Sequence, residues 1–557
     1  MPTVTRNTST HPAAALLAVA AAALAVAAPA SSATASSATL AQRGITAAVK
    51  NGWLKAPDAQ RYRADVYLAQ HGIRFLPKLR ARVLAVQLGE VSAIWDSYTS
   101  PRALALFSQL EENIAYLDTH RIPDVATDVA AQDGVVYRWF PDKGLEFHPL
   151  ANFAQLNNLA SAKNSAAAGT LAAALVARAI PRGGSLLWEY AFPEGPGRAP
   201  WASGLAQAVA AQALSRAGVL LGDSTLLAAA ARAYAAIPGK LDLETSAGPW
   251  IRLYGFDHEI VLNAQLQAIL SLAEYGKTAS DAGAVSLADQ MMAAARSLLP
   301  RFDTGDWSRY ELGGGYAKSS YQIFVTTLLG KLAKQTQDPF WQDAATRFTN
   351  YTYEPPQVTQ PDPPPALLVV PQPLDGWLDT AGIPLTLSKR ASLNVAVAGK
   401  VLTYRNLARG AHTLTWKPGP GVTPGTYAVT VQATDFTGKR ATFHLAPVTV
   451  VWDTLPPPVV AQVDATTLVL SWQASDPGTP WLELKLDLSD PTGVQPPQQI
   501  DLGQQPTAGT LQLAIPPGTW NAALEATNSA AFTTTVPLPA LTAAAAAPPP
   551  PPPAPTP

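Results

Sequence analysis

Cysteine is missing from all 557 residues, so neither a disulfide nor a thiolate metal site can hold this fold. Stability must come from buried apolar surface. Charge is scarce as well. Lys, Arg, Asp and Glu make up 14% of the chain, the net charge is −1, and no basic block occurs. Phosphate recognition relies on clustered Lys and Arg, which sets nucleic-acid binding aside. The 7 histidines show neither HExxH nor any paired spacing, which argues against a zinc enzyme. There is no G-x-S-x-G elbow, Walker motif or dinucleotide glycine pattern. Neither a metal nor a cofactor is therefore expected. Long apolar runs are confined to Ala13–Ala28, which follows Arg6 and His11 and ends near Ala33-Thr34-Ala35. That run is short for a membrane span and reads as a signal peptide over 1–35, with an uncleaved anchor as the alternative. The expected location is secreted or extracytoplasmic, with cell-surface association open and no membrane span after cleavage.

The length suits several domains. Apolar residues recur at three- and four-residue spacings from Ile45 to His120, broken at Pro77, so 36–130 is an N-terminal helical region without visible chemistry. GVVYRWFPDKGLEFHP (134–149) alternates around a Pro-Asp-Lys-Gly turn and predicts a β-hairpin. Eight helical segments then follow up to residue 353, separated by turns such as Pro181-Arg182-Gly183-Gly184 and Pro238-Gly239. Paired antiparallel helices with strand-like inserts at one end suggest an (α/α) toroid over 131–353, although bundles of other connectivity fit the same periodicity. Proline then dominates 354–365 and predicts an extended linker. Short alternating strands predict two immunoglobulin-like β-sandwiches, at 366–453 and 454–539. Gly425-Thr426-Tyr427 and Gly518-Thr519-Trp520 sit at similar places in the two, which suggests related modules. An Ala/Pro-rich tail, 540–557, reads as disordered or polyproline II.

One stretch of the helical domain concentrates unusual residues. Leu298–Tyr321 joins two helices through an Asp-Thr-Gly turn, Trp307, Tyr310, a triple glycine, Tyr316, Lys318 and Tyr321. An ordinary aromatic-packed loop is the plain alternative. Leu299-Pro300-Arg301-Phe302-Asp303-Thr304-Gly305, then Tyr310, then Tyr321, resembles the LP-x-[FY]-D-T-G…Y…Y pattern of the D-glucuronyl C5-epimerase C-terminal domain. Trp201-Ala202-Ser203-Gly204-Leu205-Ala206-Gln207 is similar to its W-x-S-x-[ML]-A-Q, and Val261-Leu262-Asn263 to its V-L-N-G, with Ala264 replacing Gly. Asp338-Pro339-Phe340 is similar to the opening of its last helix. The resemblance covers roughly residues 130–352.

This resemblance implies a toroid acting on a heparosan-like polysaccharide and inverting C5 of a uronic acid. Such chemistry removes a carbon-bound proton beside a carboxylate and returns one to the opposite face. By resemblance Tyr254, Tyr310 and Tyr321 are the catalytic tyrosines; a neighbouring cation would depress their pKa. Arg252, Arg309 and Lys318 are candidate partners for the uronate carboxylate, with Trp201, Gln207, Trp307 and Asn263 as further substrate contacts. Trp188, Tyr190 and Trp250 are additional rings on which a sugar could stack; packing is the plainer role for each. Three departures stand out. Leu253 replaces the family's Glu before the first tyrosine, with Glu259 or Asp257 as substitutes, and Gln322 and Val325 replace two histidines. Four functions stay open: a uronate C5-epimerase, an inactive glycan-binding protein on the same scaffold, a polysaccharide lyase, and a cell-surface structural protein. The resemblance also allows a homodimer.

Overall fold

A computed structural model describes residues 30–544. The expected signal segment, 1–35, and the Ala/Pro tail fall mostly outside the described residues. The chain forms two units that divide between Tyr353 and Glu354, the first rich in helices and the second in strands.

The first unit begins with α1 (Ala30–Lys50), α2 (Ala56–Phe75), α3 (Lys78–Ala93) and α4 (Ser100–Thr119). Pro77 separates α2 from α3. These helices enclose their own core, where Phe107 stacks on Tyr62 at 4.4 Å and meets Tyr98 edge-on at 5.5 Å. Three antiparallel strands follow: β1 (Asp128–Ala130), β2 (Val136–Phe140) and β3 (Gly144–Phe147). The last two form a hairpin whose turn needs positive φ at Asp142 and Gly144.

Eight helices come next, in four pairs: α5 (Pro149–Ser161) with α6 (Ser165–Ala177), α7 (Gly204–Leu221) with α8 (Ser224–Tyr234), α9 (Leu262–Ala279) with α10 (Ala282–Phe302), and α11 (Ser319–Thr336) with α12 (Pro339–Tyr353). The first members, α5, α7, α9 and α11, lie side by side in succession, and each is backed by its partner. Their starts follow local chemistry. Side chains of His148, Asn164, Ser203, Asp223 and Asp281 accept backbone N–H bonds at the helix N-termini. Short strands precede these front helices: β4 (Ile180–Arg182), β5 (Ser185–Leu187), β6 (Glu189–Tyr190) and β7 (Trp201–Ala202) before α7, and β8 (Asp242–Thr245) and β9 (Gly248–Ile251) before α9.

Each front helix carries a buried amide at its fourth residue: Asn152, Gln207, Gln265 and Gln322. In every case its oxygen accepts a backbone N–H from the preceding hairpin or loop: Val136, Trp188, Ile251 and Ser308 respectively. In the last three the amide nitrogen also donates to a carbonyl of the backing helix, at Ala233, Met291 and Phe348. One amide thus joins three elements in each of those three pairs, which makes pair plus preceding hairpin or loop a structural repeat.

In the second unit, strands Val358–Thr359, Ala381–Leu387 and Gly410–Trp416 form one sheet. Leu367–Val369, Arg440–Val450, Gly425–Thr434, Ala391–Val397 and Lys400–Leu407 form another, and a single apolar core lies between them. Val358–Thr359 belongs to the proline stretch expected to be a linker, yet it pairs antiparallel with Thr386–Leu387. Two β-branched residues free of proline suffice for that short ladder. A second pair of sheets (459–543) encloses a separate core. The two Gly-Thr-aromatic segments behave alike. Each opens a long strand with a register shift after the aromatic residue. Each aromatic also donates to the carbonyl four residues back, Tyr427 to Thr423 and Trp520 to Pro516.

Candidate functional site

The connections entering α7, α9 and α11 meet around a cavity of about 380 Å³. The Pro193–Pro200 loop contributes Glu194, the segment after β9 contributes Tyr254, Phe256, Asp257 and Glu259, and the 303–318 loop contributes Tyr310, Glu311, Tyr316 and Lys318. Tyr321 enters from the first turn of α11. Close backbone geometry shapes the last of these loops. Gly313 has φ +80°, and a Cβ on Gly314 would lie 2.4 Å from the Glu311 side chain.

The three tyrosines named from sequence converge here. Tyr310 and Tyr321 meet edge-on with ring centroids 4.9 Å apart, and the Tyr310 hydroxyl is hydrogen-bonded both to Tyr254 and to Tyr321. Their acidities differ from expectation. Burial pushes all three up, and Tyr321 reaches about 12 even though the Tyr310 hydrogen bond and the Arg138 guanidinium pull it down. The expected depression by a cation is corrected: burial outweighs it, and these hydroxyls stay neutral and protonated. Carboxyls are the complementary groups. Glu259 is exposed as a residue, but partial burial of its carboxyl raises its pKa from the ordinary glutamate value, and the neighbouring Asp257 and Glu311 add to that. Asp257 is raised by burial too. The Glu259 carboxyl has no hydrogen-bond or ion-pair partner among the described residues, which leaves its proton-accepting capacity unused.

Of the three candidate cations, only Lys318 lines the cavity, and its ammonium has no partner among the described residues. Arg252 lies to one side, where it donates to the carbonyls of Asp242 and Gly255 at 3.1 and 3.4 Å and touches the His258 ring. Arg309 folds back onto the Gly314 carbonyl at 2.5 Å and stiffens the loop. Gln207 and Trp307 lie in the interior. Gln207 is one of the repeat amides, and the Trp307 indole donates to the Ala317 carbonyl at 2.8 Å behind the tyrosines. Asn263 is buried on α9 and does not line the cavity. Trp201 is 8% exposed, one face stacked on Tyr190 at 4.1 Å, so that face is closed to a sugar.

The departures from the family pattern are also placed. Gln322 carries a repeat amide's bonds, and Val325 and Leu253 are buried among apolar groups. The Asp-Thr-Gly turn is a clamp: Asp303 accepts from Arg347 at 2.7 Å and Tyr351 at 2.9 Å on α12. Sequence reasoning missed Glu194, Glu311, Phe256 and Arg138. Arg138 is buried on β2, paired with Asp128 at 2.7 Å, and its charge reaches both Tyr321 and His148. The Pro193–Pro200 loop did carry a turn signal, with three prolines and two glycines around Glu194. His148 caps α5, and burial, helped by the Arg138 charge, holds its pKa well below normal. Among the described residues no group of three or more acidic or histidine side chains could hold a metal, and no helix is long and apolar enough to cross a membrane.

Residues 185–350 match the family model of the D-glucuronyl C5-epimerase C-terminus, which bears out the resemblance over a shorter span than the motifs suggested. No curated protein matches the chain. Among solved structures, a cellobiose 2-epimerase from Bacillus thermoamylovorans is 11% identical over 49% of this chain and 74% of its own, with TM-score 0.32. An endoglucanase from Komagataeibacter sucrofermentans is 12% identical, covering 36% and 71%, with TM-score 0.28. A GH76 alpha-mannanase from Bacteroides thetaiotaomicron is 13% identical, covering 36% and 59%, with TM-score 0.29. Overlaps this partial transfer nothing to the present chain.

Proposed function

We propose, from the D-glucuronyl C5-epimerase C-terminal segment at 185–350 and the groups gathered in its cavity, that this protein inverts C5 of uronic acid residues within a polysaccharide. The observation that carries the reading is the hydrogen-bonded series Tyr254–Tyr310–Tyr321 facing the partnerless Glu259 in one cavity. Glu259 takes the C5 proton, its raised pKa bringing it closer to the pH at which it must work. The electron pair left at C5 delocalises into the adjoining carboxylate, where the Lys318 ammonium offsets the growing charge. A tyrosine hydroxyl on the other side of the ring returns a proton to C5. The tyrosine series and Glu259 then exchange their proton surplus and deficit through water, so that the cycle closes without a cofactor.

The scaffold is read accordingly as an (α/α) toroid, and the two pairs of sheets as immunoglobulin-like modules that hold the enzyme at a cell surface or matrix after secretion. Incubating the full chain with a glucuronate-containing polysaccharide in heavy water tests the reaction. Deuterium should enter at C5 and iduronate should accumulate, and neither should occur with Glu259→Gln. One observation favours a second reading. Four carboxyl side chains line the cavity against a single lysine, an unwelcoming balance for an anionic ring, so tight glycan binding without any exchange would mark the protein as a binding member of the family.

A further inference from the structure

Helix α2 is apolar on two faces. Ala59, Tyr62, Val66 and Ala69 are buried in the core it shares with α1, α3 and α4. The opposite face carries Ala64, Leu68, His71 and Phe75, spaced i, i+4, i+7 and i+11, with Tyr67 beside them, and all of these are exposed. Tyr67 is 66% and Phe75 71% exposed, and Leu79 follows, 49% exposed, at the start of α3. The His71 and Phe75 rings lie 4.5 Å apart, so the row is continuous at that end. Elsewhere in this unit the fold is less generous. Among the described residues the eight paired helices expose only Val219, Ile323 and Tyr353 as large apolar side chains, on three different helices. Single exposed apolar side chains need no explanation, but a row along one helix face does.

The surroundings of this row are basic. Residues 50–82 hold eight Lys and Arg against two Asp, in a chain whose net charge is −1. These charges are spaced along two helices rather than run together, so no basic block marks them in the sequence. Of the two acids, Asp65 is buried and Asp58 reaches only Arg61, at 3.9 Å. Lys50, Lys55, Arg74 and Lys78 are exposed, and their side chains have no hydrogen-bond or ion-pair partner among the described residues. A second copy laid on this face would set those cations against one another. A soluble polyanion would neutralise them but leave the apolar row in water. An anionic bilayer suits both features: aromatic and leucine side chains enter the boundary between headgroups and acyl chains, while Lys and Arg stay at the phosphates. In sequence the apolar run Ala13–Ala28 ends just before α1, and α1 packs directly on α2, so the face adjoins the segment read as a signal or anchor.

We propose that the exposed face of α2, continued by Leu79 on α3, is a peripheral docking surface for an anionic lipid bilayer. It lies wholly outside residues 185–350, the segment that matches the epimerase family, so nothing in that match accounts for it. The proposal is independent of the reaction assigned to the tyrosine cavity and of any attachment through the β-sheet modules.

The absence of cysteine supplies the test. In the full chain, His71→Cys carries a polarity-sensitive fluorophore in the middle of the row, and Asp289→Cys carries it at an exposed position on α10. With vesicles of phosphatidylcholine and phosphatidylglycerol the label at 71 should shift to the blue and the label at 289 should not. Cosedimentation with these vesicles should weaken about tenfold or more in Leu68→Ser/Phe75→Ser, through lost apolar contact, and by a similar factor in Arg74→Glu/Lys78→Glu, through lost attraction to the headgroups. Insertion of the Ala13–Ala28 run, where it is retained, is common to every variant and is subtracted as the binding to phosphatidylcholine alone. Thermal melting checks folding, and should the first double variant melt early, Phe75→Ser alone carries the same test. An unshifted label at 71 overturns the proposal. So does undiminished binding by Leu68→Ser/Phe75→Ser, which would reduce the contact to attraction between charges. A dimer in sedimentation equilibrium that Leu68→Ser/Phe75→Ser dissolves overturns it too, because the face would then belong to a second copy.

Discussion

The repeat amides sit in the first turn of the front helices and the three tyrosines lie at or before the starts of α9 and α11, yet their bonding is opposite. Gln265 uses both ends of its side chain, accepting from Ile251 N–H and donating to the carbonyls of Pro249 and Met291, each within 3.0 Å. Tyr254 and Tyr321 are each linked to the Tyr310 hydroxyl, and the Glu259 carboxyl and Lys318 ammonium beside them have no partner among the described residues. A polar group whose capacity is filled by the fold has nothing left to offer a substrate. Chemistry is to be sought where capacity remains, and here that lies on the loops in front of the amides.

The contrast breaks most readily at the tyrosines. Tyr310→Phe, which removes the middle hydroxyl of the series, should cut C5 exchange by a factor on the order of 10²–10⁴, the usual worth of a positioned acid. Its denaturation midpoint should stay close to that of the unaltered protein. A variant that loses stability while exchanging normally would put Tyr310 among the structural groups. Gln265→Leu is the converse. It keeps roughly the same bulk but strands one N–H and two carbonyls in the interior, so unfolding in urea should show a loss of about 3 kcal/mol or more. A loss below about 1 kcal/mol would mean water replaces the amide, and the repeat amides would then not be what joins each helix pair.

The same distinction explains what the sequence made legible. Helices were readable because their apolar spacing and their capping residues, such as Ser203 and Asp281, act locally. The convergence of Tyr254, Tyr310 and Tyr321 came from family motifs, since nothing local says that segments so far apart will meet. Gln207 was read as a substrate contact because it ends a family motif; in the structure the motif preserves a joint between helices, and the same residue type recurs at Gln265 and Gln322. The Gln322 position looked like the loss of a catalytic histidine, yet its side chain points into a helix pair, away from the cavity. Arg138 was invisible for a different reason. It comes from a hairpin that precedes the helix pairs, and only the tertiary fold brings its charge to Tyr321. The strand at Val358–Thr359 was hidden by its prolines, which mark an extended backbone but give no sign of whether a partner strand is waiting.

An intermediate case lies where the N-terminal helices meet the β2–β3 hairpin. Glu90 and Glu146 are buried there together, served by the amides of Gln87 and Gln109, and one Glu90 oxygen has no partner. Burial raises Glu146 to about 7, with the Gln87 and Gln109 bonds and the Lys143 charge opposing it. Burial, followed by the Glu146 charge, raises Glu90. Folding-state pKa values above the unfolded ones mean that the native pair holds its protons more tightly. Its contribution is therefore fully present below the ordinary glutamate range and is lost as pH climbs through about 7. Glu90→Gln removes one of the two charges and should narrow the gap between the melting temperatures at pH 5 and pH 8, an effect on the order of 2 kcal/mol at the higher pH. An unchanged gap would show that the pair does not govern the alkaline side of the profile.

The smallest effect belongs to Lys318, and it separates two roles the lysine can play in the tyrosine cavity. Its side chain is exposed at the start of α11 and spends no bond on the fold, so Lys318→Met should leave the melting temperature where it is. An exposed charge pair is worth only about 1 kcal/mol, which corresponds to a few-fold change. If Lys318 merely grips the carboxylate of a bound sugar, that change should appear in KM and leave kcat alone. If it offsets charge that builds up after the C5 proton has gone, the change should appear in kcat, because only interactions that strengthen on the way to the transition state speed the step. A shift confined to KM would assign the lysine to binding and leave the carbanion to be stabilised by the tyrosine hydroxyls alone. Since those are neutral donors held in a hydrogen-bonded series, the exchange rate should in that event respond to removing Tyr254 or Tyr321 far more than to any change in the lysine.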